Sequence, residues 1–165
     1  MGLQLPGELI SLLGMLGYTW PEADEEKLFQ MGRDWLDFAA EFGAPVQDAD
    51  GHAGLVWSAN EGDAIKAFQQ AWQEPEAPVP ALQDGQVAAN IMGAGLMICG
   101  MIVLALKITV IIQLVWLAVQ IAMAIAEAPV TFGASLAQIP IVKMITGMLI
   151  DLAINMALEA ILGGS

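Results

Sequence analysis

Basic and reactive side chains are scarce in this chain. Five Lys and Arg residues stand against 18 Asp and Glu in 165 residues, giving a formal net charge of −13. Nucleic-acid binding needs Lys and Arg to displace the counterions of phosphate, so this balance excludes it. Cys99 is the one cysteine, which rules out an intrachain disulfide and a cysteine-based metal cage. His52 is the one histidine, and any histidine-dependent nucleophile triad has to run through it. A basic segment followed by a short apolar run is missing at the N-terminus, so no cleavable Sec-type signal is expected and an exported chain needs another route.

What is abundant is apolar surface, with a mean hydropathy of +0.64 in a strongly acidic protein. The two properties occupy different halves. Residues 1–86 hold 15 acidic and 3 basic side chains; residues 87–165 hold 3 and 2. Between Asp84 and Glu127 the sole formal charge is Lys107, and the uncharged runs 87–106 and 108–126 are each long enough to span about 30 Å of hydrocarbon. As one helix, 91–126 reaches roughly 54 Å, too long for a single untilted crossing. A double crossing needs a turn near Lys107, where the sequence has neither Gly nor Pro. The unbroken length therefore favours a protein bundle at rest.

Within this half, Gly93, Gly95 and Gly100, then Ala118, Ala122 and Ala126, point to close helix contact. Gln113 and Gln120 share a face and require partners in a bundle or a wet lumen. Lys107 fits a snorkelling lysine, a solvent contact or, preferred here, an ion pair with Asp151 or Glu159. Glu127-Ala128-Pro129 ends the helix, a loop with one further turn follows, and Pro140 opens a last apolar helix stopped by Gly163. Gly163-Gly164-Ser165 reads as a flexible linker or an engineered edge.

The acidic half opens with a brief helix, LISLLGMLG, ended at Gly14 or Gly17. Pro21, followed by Glu22, Asp24, Glu25 and Glu26, marks the start of a longer one. Leu28, Met31, Trp35, Phe38, Ala39 and Phe42 give it an apolar, aromatic face, and Gly43 with Pro45 is expected to stop it. A second helical segment carries Trp57, breaks at Asn60-Glu61-Gly62, and resumes with Ile65, Phe68 and Trp72. Pro75, Pro78 and Pro80 then predict a linker over 75–86.

WPEADEEKLFQMGRDWLDFAAEF together with LVWSANEGDAIKAFQQAW resembles the WXG-like N-terminal domain of actinobacterial polymorphic toxins, a relative of the helical-hairpin substrates of type VII (ESX) secretion. In that family a Trp-x-Gly turn joins two antiparallel helices; here Asn60 stands two before Gly62 and the nearest tryptophan is Trp57. The resemblance implies a turn at Gly62 and a partner-binding face formed by Trp20, Trp35, Trp57, Phe68 and Trp72. It also implies an aromatic-to-acid export signal, shadowed by Trp72 with Glu76 and by Tyr18 with Glu22.

Other chemistry fails on spacing. Aligning Gly51 of DADGH with the invariant glycine of a calcium loop puts Val46 and Trp57 at ligand positions, so a turn capping the following helix is the better reading of Asp48–His52. Asp34, Asp37 and Glu41 lack a cleft, histidine or metal to tune them as catalytic acids. The sequence thus predicts an all-α protein: an acidic WXG-like helical region (1–74), a Pro-rich linker (75–86) and a long apolar helical hairpin (87–162), packed as an elongated bundle, with 163–165 as linker or edge. No catalytic, cofactor-binding or metal residues are expected. Its function reads as a non-enzymatic delivery module of a secreted or envelope-associated toxin, engaging a helical partner, with the toxin part downstream. Gly93, Gly100, Lys107, Gln113, Gln120 and Asp151 are the apolar-helix contact residues. The alternatives are a membrane-inserting or pore-forming translocation domain contacting a lipid bilayer, and a soluble helical homo-oligomer.

Overall fold

The structure is a computed structural model that describes residues 2–163; Gly164 and Ser165 of the expected linker lie outside the described residues. It is all-α, with no strand among the described residues: α1 (Gly7–Met15), α2 (Glu25–Ala59), α3 (Asp63–Gln73), α4 (Pro78–Glu127), a 3₁₀ turn (Ala134–Gln138) and α5 (Ile139–Leu162). The chain forms two compact units, one from residues 1–27 and 99–165 and the other from 28–98.

In the unit of residues 28–98, α2 and α4 pack along small side chains. Gly32, Ala39, Val46 and Ala53 recur every seven residues on α2 and are all buried, a seam like that of a coiled coil but built for close approach. Opposite them lie Ala89 and Gly93 of α4, and the Gln86 amide donates to Ala39 O at 2.9 Å. A Cβ on Gly93 would sit 2.8 Å from Gly32 O, and one on Gly32 would sit 2.9 Å from Gly93 O, so glycine is required on both sides of the crossing.

Two expectations about helix ends are corrected here. α2 starts at Glu25, four residues after Pro21, because Asp24 caps it by accepting from Lys27 N at 3.2 Å. It also runs through Gly43 and Pro45 to Ala59. Pro45 removes a single backbone donor, while Val46 and Ala53 beyond it complete the buried seam. Asp48–His52 accordingly lies inside α2 rather than in a capping turn, with His52 Nδ1 2.7 Å from Asp48 O. The break at Asn60–Gly62 is where the sequence puts it: Gly62 adopts φ 123° and caps α3. The expected Pro-rich linker is helical from Pro78 onward, since Pro78 and Pro80 sit in the first turn of α4, where a missing N–H had no partner in any case.

In the unit of residues 1–27 and 99–165, α5 and the C-terminal half of α4 make a hairpin, and α1 fills against both. Its core is Leu5, Leu13, Val110, Leu114 and Ile150, flanked by Leu9, Leu106, Ile111 and Ile154. α1 ends in a left-handed turn at Gly17 (φ 87°), where Tyr18 N reaches back to Leu13 O. α4 stops at Glu127 and α5 starts with Pro140 in its first turn, both as the sequence indicates.

Candidate functional site

Two constellations carry the side chains singled out in the sequence, one in each unit, and each is built by a different local device.

In the unit of residues 28–98, α3 is a short amphipathic helix docked on the end of α2 through a run of aromatics. Trp57 and Phe68 have ring centroids 5.8 Å apart, and Phe68 and Trp72 5.5 Å apart, all in tilted geometry. Trp72 Nε1 donates to Asp50 Oδ1 at 3.1 Å, fixing the far end of the run to α2. A depression at the turn is lined by Trp57, Asn60, Gly62, Ile65, Lys66 and Gln69. The structure thus brings Trp57, Gly62, Phe68 and Trp72 together. Trp35 lies elsewhere on α2, in edge contact with Phe38 at 6.0 Å, and Phe38 stacks on Phe42 at 5.3 Å.

The apolar face of α2 divides in a manner that aromatic spacing alone does not reveal. Small residues take the buried seam, whereas Met31, Trp35 and Phe38 remain exposed at 49%, 39% and 49%. The signal that separates the two sets was present as the seven-residue recurrence of Gly32, Ala39, Val46 and Ala53.

In the unit of residues 1–27 and 99–165, Lys107 is 2% exposed, and its ammonium is enclosed by a set of acceptors. Nζ donates to Glu25 Oε2 at 2.7 Å and to Ala23 O at 2.7 Å, and lies 5.7 Å from the Trp20 ring centroid. Glu25 Oε1 in turn accepts from Leu3 N. Burial pushes the Glu25 carboxyl up, but the Leu3 amide and the Lys107 ammonium outweigh it and hold the group below its ordinary value. The ion pair expected between Lys107 and Asp151 or Glu159 is therefore corrected: the partner is Glu25, and Asp151 is exposed. Four acids crowd the segment 22–26, and nothing in their spacing distinguishes the one that turns inward.

Trp20, expected on the partner face, instead roofs this ion pair, with its indole Nε1 buried and without a hydrogen bond. Asp151 serves Tyr18: the phenol's single proton is shared between that carboxylate and Gly147 O at 3.1 Å, and the Asp151 acceptor, with burial and its charge, holds the phenol above the ordinary value. Gly93 lies at the α2–α4 crossing, Gly100 is buried in α4, and Gln113 and Gln120 are half-buried on α4. Among the described residues no group of His, Cys, Asp and Glu is arranged to hold a metal ion.

A family model described as a WXG100 like domain matches residues 4–149. No curated protein and no solved structure matches the chain.

Proposed function

Because the chain belongs to the WXG100-like domain family, a helical family related to type VII secretion, we propose that it is a non-enzymatic targeting and delivery module that docks a helical partner along the exposed aromatic face of α2. One observation carries this reading. Met31, Trp35 and Phe38 stand in solvent beside the small-residue seam of α2, which is already packed. Aromatic anchors on a rigid helix bind a groove or a second helix at low entropic cost. The Gly62 turn and the Trp57–Phe68–Trp72 run hold α3 against the same helix and give the partner a second element to read. The finer reading, a module that heads a polymorphic toxin and accompanies a downstream cargo, rests on the resemblance of residues 18–74 to such toxins.

The test is export of the chain from a bacterium with a working type VII system. Replacing Trp35 and Phe38 by Ser is expected to lower export roughly tenfold or more, as loss of two interface anchors does. Far-UV circular dichroism is expected to stay unchanged, since both side chains are exposed. Undiminished export of the folded double variant overturns the reading.

A second reading, membrane insertion or translocation, draws on a separate observation. Within 63–127 and 134–162 the helices are long and apolar enough to cross a membrane by length and composition, with the most apolar stretches only 22% and 17% buried. Lys107, the single charge along most of α4, is neutralised inside the protein by Glu25, so no bare ammonium opposes contact of this surface with hydrocarbon.

A further inference from the structure

The turn between α4 and α5 displays its largest side chains to solvent. Phe132 is 99% exposed and Val130 81%, and Leu136 beside them is 41% exposed. The backbone holds them there. Phe132 is in the left-handed region at φ 51°, followed by Gly133 at φ 86°. Conformations of this kind cost a bulky residue free energy and persist only where surrounding bonds impose them. The surrounding bonds are present: Gly133 N donates to Ala128 O at 2.8 Å, Thr131 Oγ1 to Glu127 O at 2.9 Å, and Ser135 Oγ to Ala124 O at 2.7 Å. The result is a firm, convex apolar tip.

Resting on the membrane reading above, we infer that this tip, centred on Val130 and Phe132, is the element that first enters a phospholipid surface. Convexity is the first reason. A protein partner or a second copy has to offer a complementary pocket for a side chain standing almost wholly in solvent, whereas a bilayer interface accepts such a wedge in any orientation. Charge is the second reason. From Ala128 to Val142 there is no formal charge, so nothing ionised enters with the tip. Continuity is the third. The turns on either side expose Ile125, Ile141 and Met144 at 57%, 55% and 61%, so deeper entry continues to bury apolar surface. The net charge of −13 opposes approach to an anionic surface, so the surface chosen is zwitterionic.

The experiment is flotation of the full chain with phosphatidylcholine vesicles, repeated with one third phosphatidylglycerol, using wild type and the Val130→Asp/Phe132→Asp double variant. Near-native circular dichroism is expected for the variant, because both side chains lie outside the core; Phe132→Asn, which suits the left-handed region, supplies a second variant free of added charge. Wild type is expected to float with phosphatidylcholine and less with the anionic mixture, the aspartate variant roughly tenfold less, and Phe132→Asn in between. Flotation of both variants equal to wild type overturns the role of the tip while leaving membrane contact through the helices. Absence of wild-type flotation overturns the tip proposal and the membrane reading together. Capture of a protein by the tip in place of vesicles overturns the choice of lipid.

Discussion

Glu25 Oε2 and Lys107 Nζ are 2.7 Å apart although 82 positions separate them, and their side chains are 4% and 2% exposed. A buried pair of this kind is costly to break and cheap to replace as a whole, because a lone buried charge keeps the desolvation penalty without the attraction. Lys107→Met alone is expected to destabilise by about 3–5 kcal/mol, and Glu25→Leu with Lys107→Met to recover most of that loss. Urea unfolding followed by tryptophan fluorescence checks both, and equal losses in the single and double variants would refute the pairing.

The same carboxyl sets an acid limit. Its folded-state pKa lies below the ordinary 4.5, so its contribution is complete above that value and is lost as pH falls through the folded pKa. Wild type is expected to lose urea resistance as pH is lowered from 5 towards 3. Glu25→Gln is expected to begin less stable at pH 7 and to lose less over the same interval. Parallel pH profiles for the two proteins would remove Glu25 from the account.

The all-α class, the turn at Gly62, the end of α4 at Glu127 and the start of α5 near Pro140 were legible in the sequence, because each rests on local backbone chemistry. Two proline readings were not. Pro45 sits inside α2 because tertiary packing of Val46 and Ala53 outweighs one lost hydrogen bond, and Pro78 opens α4 rather than closing a linker. The ion pair of Lys107 was foreseen in kind but not in partner, since a contact between α2 and α4 leaves no periodic trace. On α2, spacing gathered Trp35 and Phe38 with Ala39 on one apolar side. The seven-residue recurrence of Gly32, Ala39, Val46 and Ala53, and not the spacing of the aromatics, separates the small buried residues from the exposed ones.

At the α2–α4 crossing, glycine is needed for room rather than for backbone freedom. Gly93→Ala brings a Cβ to 2.8 Å from both Gly32 O and Leu36 Cγ, and the helices have to move apart. The expected cost is about 1–3 kcal/mol. Gly95→Ala, two residues along the same helix with nothing within 4 Å, is expected to stabilise by about 0.5–1 kcal/mol through helix propensity. Thermal melts of the two variants are thus expected to shift in opposite directions, and a shared sign would contradict the close crossing.

Gly62 is the opposite case, a glycine held for its backbone. At φ 123° with open space around it, an added Cβ meets no neighbour, yet the conformation itself is one that L side chains rarely adopt. Gly62→Ala is expected to cost about 1–3 kcal/mol by strain at the turn. Trp72→Phe keeps the ring against Phe68 and removes only the bond to Asp50, at about 0.5–1.5 kcal/mol. Because the strain falls on the connection between α2 and α3, Gly62→Ala is expected to speed proteolytic cleavage at Asn60–Asp63 more than Trp72→Phe does, while helical content stays near wild type in both. If α3 is part of the docking surface, the glycine variant also exports less well than the tryptophan variant. Equal cleavage rates in the two variants would show that the aromatic run, and not the turn, holds α3 in place.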